Sequence, residues 1–321
     1  MGVKGVSCVR GLISTDECER CSLDPLHPCT FPVDFLHITR NPGRGDGGRT
    51  EFTPSSLLDC DRRTVLSGKN DYYVDVDAAW NLQRGSIIHE LVERNGDYPE
   101  GSVTELIRER RLSTTMQTKY GPQMFSGKPD LVVIKQVDED GTAWCKIEDY
   151  KTTSITHDLT AARRSNQMQL NMYAYLVECS LYGGGERVVV DELEITYTDL
   201  KRVRRFNSMG YLYDRGKSLN SSSLVEVGDD LYEVTGRTGV TEFLPVTFHQ
   251  GKPYERLALE PIDLLPIEEI EAWIVRRIEE KIEANTVLPE PLEPPSDWVC
   301  PYCPMQELCF GMAGKTIERR Y

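Results

Sequence analysis

Two stretches of the chain hold residues whose types and spacing could do chemistry. "GKPD" ends in Asp130, and after one hairpin "IEDYKTT" follows with Glu148, Asp149 and Lys151. Side chains alternate along a strand, so Asp149 and Lys151 share one face while Glu148 and Tyr150 take the other. Cys145 and Ile147 continue the Asp149 face inward. With Asp130 at the start of a neighbouring strand, the two carboxylates could hold one divalent cation. Such hard oxygen ligands suit Mg²⁺ or Mn²⁺. A lysine two residues on could orient an attacking water and offset charge on a phosphorane. Asp-x-Lys alone is common on solvated strands, and its company gives it weight. His89 lies in a helical stretch upstream, and Gln169 and Tyr173, at i and i+4, share a face of the helix after the Asp149 strand.

A second candidate is "WVCPYCPMQELCF", with Cys300, Cys303 and Cys309 spaced C-x2-C-x5-C. Sites built from thiolates usually want four ligands, so a fourth must come from elsewhere. Residues 1–41 hold Cys8, Cys18, Cys21 and Cys29, with Cys18-x2-Cys21 as a metal knuckle. Cys8 and Cys29, with His27 as substitute, could complete a zinc site there. A second cluster and plain thiols stay open beside it. Cys145 and Cys179 read as buried core thiols on a strand and a helix.

These residues need a scaffold. "TPSSLLDCDRRTVLS" carries a helix start signal and helical spacing. "AAWNLQRGSIIHELVERN" places Leu82, Ile88 and Leu91 near one helix face. "FSGKPDLVVIKQV" and "AWCKIEDYKTT" read as neighbouring strands joined by the turn "DEDG". A long helix is expected over "LTAARRSNQMQLNMYAYLVECSLY", then a strand in "RVVVDELEITYTDL". Short Gly-punctuated strands follow. "LPIEEIEAWIVRRIEEKIEAN" is an amphipathic helix with Ile267, Ile270, Trp273 and Ile274 on one face. The Pro-rich "VLPEPLEPPSDW" then leads to the cysteine triplet.

The matching order of "GSIIHELVE", "GKPDLVV", "IEDYKTT" and "QLNMYAYL" resembles the RecB-like branch of the PD-(D/E)XK nucleases. That resemblance implies a restriction-endonuclease-like α/β core, a central mixed sheet flanked by helices. It implies His89, Asp130 and Asp149 as Mg²⁺ or Mn²⁺ ligands, with the Tyr150 carbonyl beside them. Lys151 would be the catalytic lysine, and Gln169 and Tyr173 would shape the active site and contact the DNA strand. Glu148 directly precedes Asp149, so a register slip could exchange their roles; alternation with Lys151 favours Asp149.

Within that branch, a subgroup that includes CRISPR-associated RecB-like exonucleases and the AddB nuclease domain carries a [4Fe–4S] cluster. One of its cysteines precedes the catalytic motifs and three follow at the C-terminus. The resemblance assigns Cys60, Cys300, Cys303 and Cys309 to such a cluster, with tetrahedral zinc on the same thiolates as the alternative. The implied organisation is a cysteine-rich cap at 1–41, a nuclease core at 50–290 and a cluster segment at 291–321. The implied activity is exonucleolytic cleavage of single-stranded DNA or free ends, in repair, recombination, phage DNA metabolism or CRISPR adaptation. A non-catalytic iron–sulfur DNA-binding subunit of a helicase–nuclease complex is the second reading.

Composition narrows the rest. A chain of 321 residues can bury a substantial core, and no apolar run is long enough to span a bilayer. No secretory signal is evident, which with ten cysteines points to the cytoplasm and to thiol or metal chemistry rather than disulfides. The net charge of −14 argues against whole-surface attraction to nucleic acid. It leaves room for local basic stripes such as "IRERR" at 107–111 and "KRVRRF" at 201–206. "IHELVE" lacks the second histidine of a zinc protease, since Glu93 stands in its place. "GMAGKT" has Cys309 where a phosphate-binding loop needs its first glycine, so a helicase, recombination or CRISPR protein would be a separate partner.

Overall fold

The apolar run "LVVI" and the alternation in "AWCKIED" form the two central strands of the computed structural model. It describes residues 3–8, 11–22, 51–70, 72–75, 84–91, 98–99, 101–153, 159–181, 187–199, 202–220, 224–228, 230–235, 241–291, 300 and 303–311. The chain folds as two compact units. One comprises Met1–Val92, Thr114–Ser126 and Glu271–Tyr321, the other Glu93–Ser113 and Gly127–Ile270.

In the first unit, β1 (Val3–Cys8) pairs antiparallel with β2 (Gly11–Ser14) and parallel with β3 (Tyr72–Asp75). Helix α1 (Thr15–Ser22) carries Cys18, buried with Val6 in a small apolar cluster, and the half-buried Cys21. Cys29 and His27 lie outside the described residues. The helix expected over residues 53–67 is two helices, α2 (Pro54–Leu58) and α3 (Asp61–Lys69). Thr53 caps the first in a reciprocal box with Ser56, and extended backbone at Asp59 and Cys60 breaks the run. Cys60 thereby becomes the N-cap of α3.

Residues 84–91 form α4, the described part of the helix expected around His89. β5 (Leu112–Thr118) and β6 (Gly121–Gly127) make a hairpin. Of the later elements, α6 (Ile267–Thr286) has Ile270, Ile274 and Ile278 on its buried stripe. Arg277 of α6 donates to the Leu57 carbonyl and to Asp61, and Lys281 donates to the Asp59 carbonyl at 2.9 Å. These cations cover α2's exposed C-terminal carbonyls and fix the α2–α3 turn. The short α7 (Gln306–Gly311) carries Cys309.

The second unit holds a five-stranded sheet in the order β10-β9-β8-β7-β4. Its strands are β4 (Glu105–Arg108), β7 (Leu131–Val137), β8 (Ala143–Thr152), β9 (Val188–Thr198) and β10 (Val203–Asn207). Among the described strands of this sheet, only β8 and β9 pair in parallel. A parallel pair needs a crossover, and α5 (Arg164–Ser180) supplies it, packing on both strands. The helix expected from Leu159 starts five residues later. Arg163 is extended, and its N–H together with Asn166 donates to the Tyr197 hydroxyl. Near its C-terminus Cys179 is exposed, which corrects the expectation of a core thiol; Cys145 is fully buried as expected. A second, antiparallel sheet runs β11-β15-β14-β13-β12: β11 (Leu212–Ser218), β12 (Leu224–Gly228), β13 (Leu231–Thr235), β14 (Thr241–His249) and β15 (Lys252–Leu259).

Candidate active site and cysteine pocket

The pairing of β7 with β8 places the acidic residues. Leu131 lies opposite Glu148, so Asp130, one residue before β7, falls beside Asp149. The Tyr150 backbone N–H donates to Asp130 Oδ2 at 2.9 Å and holds that carboxylate against β8. Asp149 is 1% exposed, and Lys151 Nζ lies 2.8 and 2.7 Å from its two oxygens. Burial alone would lower the Lys151 ammonium, but the Asp149 and Asp130 charges outweigh it and raise its pKa. The same two charges act with burial on Tyr173, pushing its phenol well above the ordinary range. Gln169 Nε2 donates to the Tyr173 hydroxyl at 3.2 Å, as their helical spacing predicts. Asp130, Asp149, Lys151, Gln169 and Tyr173 therefore converge at one end of β7, β8 and α5. His89 belongs to the first unit, half-buried in α4.

Gly127 of "GKPD" has a steric reason. A Cβ there would lie 2.6 Å from Leu176 Cδ1 and 2.9 Å from Tyr173 Cε1. Only glycine lets the strand approach α5 this closely without displacing the active-site tyrosine.

Glu148 lies on the reverse face of β8 and takes no part in the Asp149–Lys151 arrangement. Its carboxylate accepts from the Tyr98 hydroxyl, from Lys146 Nζ and, at 2.7 Å, from the Tyr150 hydroxyl. Burial alone would raise Glu148, but these three donors hold it below the usual carboxylate range. Burial and that hydrogen bond together push Tyr98 up to about 12. Alternation on β8 puts Glu148 and Asp149 on opposite faces, and Lys151 lies with Asp149.

One acidic residue escaped the sequence reading. Glu109, inside the stretch read as basic, follows β4, whose Arg108 pairs with Leu131, so Glu109 comes opposite Asp130. Its N–H donates to the Asp130 carbonyl at 3.2 Å. One carboxylate oxygen lies within 4.8 Å of an Asp130 oxygen, and Lys128 pairs with it. Its φ of 49° is left-handed, a conformation that costs a non-glycine residue about 1 kcal/mol or more. A lone acid flanked by arginines carries no periodic signal, and only strand register could have found it.

In the first unit, Cys60, Cys300, Cys303 and Cys309 line one pocket together with Arg62 and Arg63. Within the triplet, Cys303 N–H donates to the Cys300 carbonyl, and in α7 Cys309 N–H donates to that of Met305. Arg62, buried, donates to the Cys309 carbonyl at 3.0 Å and ties α3 to the tail. Burial pushes the Cys303 thiol up to about 11.

A family model described as the PD-(D/E)XK nuclease superfamily matches residues 102–310. The chain belongs to that superfamily. Its members are metal-dependent nucleases, and the matched span contains Asp130, Asp149 and Lys151 in the register described. The crystal structure of SSO0001 overlays with a TM-score of 0.44 at 14% identity, covering 86% of this chain and 93% of that one. No curated protein sequence matches. Among the described residues, no helix is long and apolar enough to cross a membrane.

Proposed function

We propose that the chain is a metal-dependent deoxyribonuclease that hydrolyses single-stranded DNA from free ends, with a [4Fe–4S] cluster as a structural clasp. The observation that carries the catalytic reading is the β7–β8 register, which sets Asp130 beside Asp149 with Lys151 on the same face. These side chains fit a divalent cation, since Asp130, Asp149 and Glu109 offer hard carboxylate oxygens. Asp130, Asp149 and, by its sequence resemblance, His89 would hold it, with the Tyr150 carbonyl and Glu109 nearby. When bound, the cation polarises the scissile phosphate and acidifies water.

The chain's own residues do the rest. Lys151 stays protonated between two carboxylates, so it brings positive charge to a phosphate and donates toward a water placed for attack. The pair Gln169 and Tyr173 offers a hydroxyl and an amide that orient a strand at the site. Tyr173 keeps its proton, because burial and the two carboxylates oppose its loss.

The cluster reading is supported by the four cysteines around one pocket and by Arg62 and Arg63, whose charge offsets a set of thiolates. Tying Cys60 to the distant tail, the cluster would stabilise the α3–tail packing. Zinc on the same thiolates is the alternative there, and zinc on Cys8, Cys18, Cys21 and Cys29 remains a proposal for the N-terminal cap. A non-catalytic DNA-binding subunit is the second functional reading. The intact Asp130, Asp149 and Lys151 set weighs against it.

The test is cleavage of end-labelled DNA with Mg²⁺ or Mn²⁺. Wild type should shorten single strands, and Asp149→Ala and Lys151→Ala should each lose about a hundredfold or more. Equal cutting by both variants would overturn the assignment. Internal cuts on closed circles at the same rate would overturn the preference for ends.

A further inference from the structure

The antiparallel sheet β11–β15 sorts its side chains by charge. Register puts Tyr213 opposite Ala258, Arg215 opposite Arg256, Tyr254 opposite Thr247, and Lys252 opposite His249. Directly paired residues share a face, as do alternate residues along a strand. One face therefore carries the rings of Tyr213, Phe243 and Tyr254 among the cations Arg215, Lys252 and Arg256. Its acids are Glu233, paired with Phe243, and Asp230, whose carboxylate meets Arg256. The reverse face holds Asp214, Glu226, Glu242 and Glu255, beside the buried Val234, Val246 and Leu259. In a chain of net charge −14, the cations of this sheet gather on this face and most of its acids on the reverse one.

The rings and cations are arranged together. The Arg256 guanidinium lies 5.4 Å from the Tyr213 ring centroid, and that of Arg215 lies 5.6 Å from the Tyr254 ring. Arg256 also pairs with Asp230 at 2.9 Å, which sets its orientation. Tyr213 is 67% exposed and Phe243 is 60% exposed. The core needs neither ring on this face, since this sheet's buried side chains, Val234, Val246 and Leu259, lie on the other. Protein interfaces deplete charge at their centre; here the cations sit among the rings.

We propose that this face is a docking platform for single-stranded nucleic acid, a proposal that builds on the nuclease reading. Unpaired bases can stack on exposed rings and guanidinium planes while neighbouring cations meet the phosphates. A duplex hides its base faces and could use only the cations, so the platform selects single strands. It would hold the strand by contacts independent of the carboxylate site.

The test uses the full chain carrying Asp149→Ala, without divalent cation, and a fluorescein-labelled oligothymidylate read by anisotropy. Tyr213→Ala with Phe243→Ala should weaken binding about tenfold or more. Arg215→Gln with Lys252→Gln should weaken it and lower the salt slope by about 0.7 per lost phosphate contact. Affinity for the corresponding duplex should change little with the ring variants. Unchanged oligothymidylate affinity in both double variants, with unaltered circular dichroism, would overturn the platform. So would equal losses for single strand and duplex. A shift of oligomeric state on sedimentation without a binding change would mark a protein interface and also overturn it. A chain that binds single strands through this face but cuts no DNA would sink the nuclease reading alone.

Discussion

Tyr150 and Asp130 are joined across two strands by a hydrogen bond from the Tyr150 N–H to Asp130 Oδ2 at 2.9 Å. The Tyr150 side chain reaches the other way, to Glu148 on the reverse face. A single residue thus links the carboxylate pair in front to a buried polar network behind. Placing Asp130 depends on the β8 backbone, and the β8 backbone is pinned by Glu148.

Removing that anchor should weaken the site from behind. Tyr150→Phe loses one hydrogen bond, about 1 kcal/mol of stability. Glu148→Ala leaves Tyr98 without its acceptor and Lys146 with only Glu194 at 3.5 Å, and should cost about 3 kcal/mol by urea unfolding. Glu148→Gln should keep the fold and lower kcat several-fold with KM for DNA unchanged. A wild-type kcat in Glu148→Gln would show that the network does not position Asp130.

Gly127 offers a steric test of the same site. Gly127→Ala forces a Cβ toward Tyr173 and Leu176, and should cost about 1–3 kcal/mol in thermal unfolding. Gly127→Val should also reduce cleavage by displacing the Tyr173 ring. The companion Leu176→Ala in Gly127→Ala should recover part of the stability by opening space.

Asp61 makes stability depend on acid. Burial alone would raise its carboxyl, but hydrogen bonds and charge from Arg277 and Lys281 hold it below the ordinary value. A depressed carboxylate contributes fully above its unfolded pKa of about 3.9 and loses that contribution as pH falls through the folded value. The melting temperature should therefore hold from neutral pH to about pH 4 and fall below it. Asp61→Asn should be less stable by about 2 kcal/mol at neutral pH, with a shallower acid limb.

The cluster proposed for the cysteine pocket predicts a coloured protein. Anaerobically purified chain should be brown, with iron and acid-labile sulfide in equal amounts, and Cys60→Ser should lose the colour and melt at lower temperature. A colourless wild type holding stoichiometric zinc would favour the zinc alternative.

Much of the site was legible in the residues themselves. Strand alternation put Asp149, Lys151, Cys145 and Ile147 on one face, and helical spacing joined Gln169 to Tyr173, because both periodicities are local properties of the backbone. The sequence also grouped Cys300, Cys303 and Cys309, whose spacing is short enough to close on itself. Non-local pairing decided the rest. The register of β4 on β7 brought Glu109 to Asp130, and a break at Asp59–Cys60, held by Arg277 and Lys281 from far along the chain, turned Cys60 toward the C-terminal triplet. Cys179 is exposed although Val177 and Leu181 on either side of it are buried, because helical rotation near the end of α5 turns it away from the core. The basic, ring-bearing face of β11–β15 exists only through cross-strand pairing, since no single strand contains it. Local periodicity chose which side chains share a face; tertiary register chose which faces meet.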